Sequence, residues 1–353
     1  MRSPLLVFVA ALCLRCVPLP SAPELQTTPL RDGGFFVVCE GLWRQDNATL
    51  SYVNPSGTSE RDVVSSRNPG LRLGDTGSDI LVRGDSVYVC VSTSGTIEVY
   101  HRTTGVWKGR IRFENGRQPY HIARVDDTVA ICSMINDDAI CEVNLRLLQI
   151  RIPRAPVGPA PEGLCALSGK LYVANSGLGD LRVAEAGAGT VSILDALSLR
   201  IVDSIKGLPN AMSCSADAVR NRIWITYRNL TSQPDSLGGI VLYDPSTSRI
   251  VDHQRYSSPK GLVIDPSSGA IYILHRYGVD LYDPNTRIRT TIVAHESGGP
   301  NDVWYSLGWW ASQQLLLVGN ARSYVTDGEV IAIDLTGTIR FRTNVGLNPA
   351  SFE

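Results

Sequence analysis

The sequence has almost no net charge, few aromatic residues and, past its first residues, no long apolar run. Its 33 lysines and arginines meet 34 aspartates and glutamates, for a formal net charge of −1. That balance excludes the basic footprint of a nucleic-acid-binding domain. Downstream of residue 22 no apolar stretch approaches the roughly 20 residues that a membrane-crossing helix requires. Residues 23–353 also lack a Gly-rich phosphate loop, a Gly-x-Ser-x-Gly elbow and any cysteine pair at zinc-site spacing. The usual sequence marks of nucleotide binding, serine hydrolysis and structural zinc are therefore missing, and no metal or cofactor is expected. Hydrophobic residues make up 43% of the chain and mean hydropathy is +0.00, a globular composition and not a disordered one.

The apolar run that does exist is at the start. Arg2 precedes residues 5–14 (LLVFVAALCL), and Pro18, Pro20 and Ala22 follow. A positive start, a short apolar core and a helix-breaking, small-residue end describe an export signal over residues 1–22. Cys13 and Cys16 leave a lipoprotein signal as the alternative form of processing. The expected location is the periplasm, the cell surface on a lipid anchor, or the medium.

The rest of the chain repeats itself. Residues 171–175 (LYVAN), 189–195 (GTVSILD) and 200–205 (RIVDSI) form one copy. A second is 222–227 (RIWITY), 239–245 (GIVLYDP) and 249–252 (RIVD), and a third is 270–274, 278–284 and 287–291. Further copies lie around residues 86–100, 128–143 and 314–334. Each copy is a set of short β-branched runs separated by Gly, Asn, Asp or Pro, with a period of roughly 40–50 residues. That is the spacing of a four-stranded propeller blade. An additional inner strand starts near Pro119, Pro161, Pro209 and Pro259, where the missing N–H costs nothing.

The two ends complete one another. The first copy supplies runs at 35–39, 48–53 and 61–65, read as second, third and fourth strands, but lacks an inner strand. Residues 347–352 (LNPASF) read as an inner strand with nothing after it. Pairing them predicts an all-β, seven-bladed propeller over residues 35–353, closed by the C-terminal strand.

At the Tyr172-Val173-Ala174-Asn175 position the chain resembles the YVTN β-propeller repeat. Residues 34–41 (GFFVVCEG) and 50–55 (LSYVNP) resemble the opening of exported YncE-like propellers of Bacteroidetes-type bacteria. The resemblance implies the propeller fold, and it also implies a surface or secreted setting. Some relatives are surface lipoproteins, one of which captures vitamin B12, so a corrinoid becomes one candidate ligand.

Six cysteines follow the leader. Cys39, Cys90 and Cys132 read as one column at the end of the second strand, held elsewhere by Ala174, Thr226, Leu274 and Gly319, which makes them small core residues. Cys165 and Cys214 read the same way on inner strands. Cys132 and Cys141 flank a turn symmetrically, leaving a cross-strand disulfide open.

In a propeller the connections between blades share one face with the loops between second and third strands. The inter-blade connections put Tyr120, His121, Glu162, Asn210, Lys260, Asn301 and Asp302 there. The other loops add Glu40, Trp43, Arg228, Arg276, Tyr277, Arg322 and Tyr324. This face is rich in arginine and aromatic residues, which binding surfaces use. The opposite face is made of plain turns such as Asp244-Pro245-Ser246. Blades 4 and 5 carry the longest loops, at 176–188 and 229–237, and long loops in compact domains are often functional.

The residues favour binding over catalysis. The expected ligand-binding set is Trp43, Tyr120, His121, Glu162, Asn210, Arg228, Lys260, Arg276, Tyr277, Asp302, Arg322 and Tyr324. The partner is a small molecule, a corrinoid among the candidates, or a cell-envelope protein, and the protein is expected to be monomeric. The alternative is a lactonase- or quinoprotein-like propeller enzyme at the same face, in which His121 and His275 join Glu162, Asp302 and Arg276 as an acid/base or metal cluster.

Overall fold

The repeated strand and turn signals resolve into seven four-stranded antiparallel sheets. The computed structural model describes residues 28–233, 238–295 and 302–353. The expected leader with Cys13 and Cys16, Asn301, and residues 234–237 of the blade 5 loop lie outside the described residues. Blade 2 is representative: strands Gly77–Arg83, Ser86–Val91, Thr96–His101 and Trp107–Arg112 run outward from the axis as a meander. The other inner strands are Pro119–Arg124, Pro161–Leu167, Ala211–Asp217, Gly261–Ile264, Trp304–Trp310 and Pro349–Phe352. Each touches the inner strand of the next blade, and the contacts close into a ring. No described helix is long and apolar enough to cross a membrane.

Strand chemistry follows from position in the blade. Second strands such as Ser86–Val91 and Val129–Met134 are buried at every residue. Neighbouring blades cover both their faces, so these strands read as continuous apolar runs instead of alternating ones. Outer strands such as Trp107–Arg112 and Arg249–Tyr256 are mostly exposed or half-buried. The Asp turns on the far face are held locally. Asp244 Oδ1 accepts from Ser246 N and Oγ at 2.9 and 2.6 Å, and Asp334 Oδ1 accepts from Thr336 N and Oγ1 at 2.9 and 2.7 Å.

Blade 1 joins the termini as expected. Its strands Phe35–Cys39, Thr49–Val53 and Ser59–Glu60 come from the start of the chain, and Pro349–Phe352 pairs antiparallel with the first of them. Phe36 N–H donates to Glu353 O at 2.7 Å, Glu40 N–H to Asn348 O at 3.0 Å and Gly41 N–H to Leu347 O at 3.1 Å. The closure pairs two strand edges that would otherwise be open.

Two expectations are corrected. The run at 61–65 is not a fourth strand: the outer strand is only Ser59–Glu60, followed by a short helix, Val63–Arg67. Asp62 caps that helix, accepting from Val64 N and Ser65 N, and a capping carboxylate favours a helix start over continued strand. Arg67 then folds inward and pairs with Glu60 at 2.6 Å.

The second correction concerns the cysteine column. Cys39 pairs with Pro349, Cys90 with Asp79 and Cys132 with Ile122, and these inner-strand partners stand at three successive levels. The three thiols therefore share burial but not one position. Cys132 does lie opposite Cys141, yet all six described cysteines are free and buried, and the Cys132 Sγ lies 3.8 Å from Cys90 Sγ of the next blade. Burial pushes the Cys39 and Cys141 thiols up to about 12. A thiol alkylator at neutral pH is expected to leave all six unmodified in the native protein and to label all six in denaturant, as read by mass spectrometry. Fast native labelling of any one would contradict this burial.

Candidate functional site at the channel mouth

The channel-lining side chains owe their direction to irregularities that recur around the ring. The pairing of inner with second strand slips between Gly77 and Asp79, Pro119 and Ile122, Pro161 and Leu164, Ala211 and Ser213, and Trp304 and Ser306. A bulge leaves its extra residue unpaired and re-aims its side chain. The residues inside these slips include Ser78, Tyr120, His121, Glu162, Met212 and Tyr305, and all six line the central channel. Gly163, beside Glu162, permits the close approach of the next inner strand: a Cβ there would lie 2.6 Å from Ser213 Cα.

The channel encloses about 570 Å³, within the range of small-molecule sites. Glu40, Arg228 and Lys260 join the bulge residues on its wall. Asp79 stands behind His121: its Oδ2 lies 3.1 Å from His121 Nδ1 and accepts from Ile122 N at 3.0 Å, while its Oδ1 accepts from Ser351 Oγ at 2.8 Å. One carboxylate thus ties blades 2, 3 and 1 together. Tyr305 Oη donates to Glu40, 2.9 and 3.0 Å from its two oxygens.

Ionisation is perturbed throughout. Burial raises the carboxyls of Glu40 and Glu162 above the ordinary range, and the opposing pull of His121 and of their hydrogen bonds does not cancel it. Burial works against a charged His121 and a charged Asp79 as well. Their mutual attraction and hydrogen bonding outweigh it, so Asp79 sits below its ordinary value and His121 above. Lys260 is lowered by burial first and then by the charges of Arg228 and Arg276. The channel therefore has a cationic side on blades 5 and 6 and an acidic side on blades 1, 2 and 4.

Five of the twelve residues expected from sequence meet in this channel: Tyr120, His121, Glu162, Arg228 and Lys260. Trp43, Arg276, Tyr277 and Tyr324 are outside it, on the surrounding loops and exposed. The remaining three do not converge on it. Asn210 lines a separate cavity of about 630 Å³ beside the blade 4 loop, where Lys206 is the only charged lining residue among the described residues. Asp302 is taken up by His295 Nε2 at 3.1 Å and Asn320 Nδ2 at 2.7 Å. Arg322 is held by Asn344 Oδ1 at 2.8 Å and Glu329 Oε2 at 3.3 Å.

The acid/base cluster of the alternative reading does not assemble. His275 lies 3.3 Å from Asp280 Oδ1 and packs against Tyr256, while Asp302 faces His295. Among the described residues no group of three or more His, Cys, Asp or Glu side chains is placed to hold a metal ion. Asp79 escaped the sequence reading because no proline opens its inner strand, Tyr305 because the entry to blade 7 was read at Asn301 and Asp302, and Glu40 read only as a loop residue. A signal existed for Tyr305: it follows Trp304 at the place where Tyr120 and Glu162 follow their prolines.

Residues 33–219 match the family described as "Domain of unknown function (DUF5074)". The chain belongs to the DUF5074 family. No curated protein matches it in sequence. Among solved structures it is similar to a quinonprotein alcohol dehydrogenase-like protein from Bacteroides thetaiotaomicron VPI-5482, with a TM-score of 0.66 and 15% identity over 89% of this chain and 76% of that one. It is also similar to the Kuenenia stuttgartiensis hydrazine synthase, with a TM-score of 0.64 and 13% identity over 78% of this chain and 88% of that one. At these identities the likeness is one of fold, and fold does not carry activity.

Proposed function

We propose that this DUF5074 protein is a receptor that holds a small, polar, anion-bearing molecule in the mouth of its channel. The observation that carries the reading is the Arg228–Lys260 pair. Both face the cavity, and neither has a carboxylate within ion-pair distance among the described residues. Arg228 Nε donates to Pro259 O at 3.1 Å and Lys260 Nζ to Trp304 O at 2.5 Å, so each retains unused donors. Partly buried cations that repel one another gain from an incoming anion, which adds the missing charge-assisted bonds. The YVTN-like repeat and the leader expected over residues 1–22 favour an exported, surface or secreted receptor.

The test is thermal unfolding against small carboxylates, phosphate esters, neutral sugars and corrinoids. A ligand bound only by the native state stabilises it by RT ln(1 + [L]/Kd), about 2.7 kcal/mol at a hundredfold excess over Kd. Anionic compounds are expected to protect, Lys260→Met to abolish the protection and Lys260→Arg to retain it. Equal protection of Lys260→Met would sink the reading, and protection by a corrinoid alone would transfer it to that ligand. The raised carboxyls of Glu40 and Glu162 favour one second reading, a propeller enzyme at the same face, since perturbed acids cluster where protons are moved.

A further inference from the structure

We infer that the molecule held in the channel mouth is an acidic saccharide, a short sugar chain bearing carboxylates. The inference rests on the anion-receptor reading and adds a second observation, the aromatic rings at the rim. Trp43, Tyr277 and Tyr324 are 66%, 54% and 45% exposed, and all three sit on loops of the channel-mouth face. Scattered exposed rings need no explanation, but several around one polar cavity mark a contact surface.

The rings have neighbours of their own. Tyr324 meets Tyr305 edge-on with centroids 5.9 Å apart, and Tyr305 in turn bonds Glu40 inside the channel. The Arg44 guanidinium lies 4.2 Å over the Trp43 ring, and that of Arg276 lies 5.7 Å from the Tyr277 ring. A continuous path therefore runs from an exposed ring to a half-buried acid.

A pyranose matches this arrangement on three counts. Its C–H face carries partial positive charge and suits the negative face of an aromatic ring. Its hydroxyls donate to the Glu40 and Glu162 carboxyls and accept from His121 and the Tyr120 phenol. A carboxylate on the ring meets Lys260 and Arg228. A bare small anion would use the cations and leave the rim rings idle, and a neutral sugar would leave the cations unneutralised.

The experiment is calorimetric titration of the full chain with four probes: a uronic acid trisaccharide, its carboxyl-reduced neutral counterpart, acetate and inorganic phosphate. The uronate trimer is expected to bind about 10- to 100-fold tighter than the neutral one, the worth of one or two charge-assisted contacts. Lys260→Met is expected to remove that preference, and Lys260→Arg to restore it. Trp43→Ala with Tyr324→Ala, both at exposed positions, is expected to weaken the two trimers alike. If acetate or phosphate binds as tightly as the uronate trimer and the aromatic variants change nothing, the saccharide inference is overturned while the anion reading stands. If none of the four probes binds, both fall.

Discussion

Valine at position 346 is expected to unfasten the ring. A Cβ on Gly346 would stand 1.9 Å from Thr49 Oγ1, 3.0 Å from Cys39 Cβ and 3.3 Å from its Sγ. Cys39 and the neighbouring Ser51 are both fully buried, so the crowding has no exit into solvent. Gly346 also accepts from Gly328 N at 3.0 Å and leads directly into the strand that completes blade 1. Overpacking of a closed core costs about 1–3 kcal/mol, and here the strain falls on the segment that closes the ring. We expect Gly346→Val to cost about 3 kcal/mol or more, with a melting temperature several degrees lower and a broader transition. Leu147→Gln, at an outer turn position that is 62% exposed, is the control and should change stability by less than about 0.5 kcal/mol. A Gly346→Val protein that melts with the wild type would mean that ring closure does not limit stability.

Asp79→Ala is expected to have an effect of similar size through electrostatics. The substitution strips His121 Nδ1, Ile122 N and Ser351 Oγ of their shared acceptor. Breaking a buried pair costs about 3–5 kcal/mol, and the lower end applies because His121 keeps about a third of its side chain exposed. The pair also sets a pH dependence. Asp79 lies below its ordinary value of 3.8 when folded, so its contribution is present above that pH and is lost as the pH falls through the lowered value. His121 lies above its ordinary value of 6.5, so its contribution is complete below 6.5 and is lost as the pH rises through the raised value. Glu40 and Glu162, raised above 4.5, also bind protons better when folded and subtract stability as the pH climbs past 4.5. Urea unfolding should therefore give greatest stability on the acid side of neutrality, with a decline toward alkaline pH that is shallower in Asp79→Ala. An unchanged slope across neutral pH in that variant would dismiss the Asp79–His121 pair as its cause.

These two variants touch opposite kinds of information. The ring closure behind Gly346 was readable in the sequence, because a first copy without an inner strand and a tail with nothing but one have a single mutual solution. The Asp79–His121 pair was not. Asp79 is one polar residue in a strand, and its partners lie about 40 and 270 positions further along the chain. Tyr120, His121, Glu162, Arg228 and Lys260 were expected together because blade entries and loops on one face must surround the channel, and all five line it. Asp302, Arg322 and Asn210 satisfied the same rule and were diverted by neighbours, His295, Glu329 and the blade 4 loop.

The sequence alone determined the number of blades, their order and which loops share a face, since each follows from local strand periodicity and turn residues repeated at one spacing. Only the tertiary structure decided which side chains enter the channel. That choice depends on bulges in the inner strands, which set the aim of a residue through its pairing with the second strand more than through its own identity. It also decided the ionisation of those groups, because burial and opposing charge exist only once six blades have brought Glu40, Asp79, His121, Glu162, Arg228 and Lys260 around one axis.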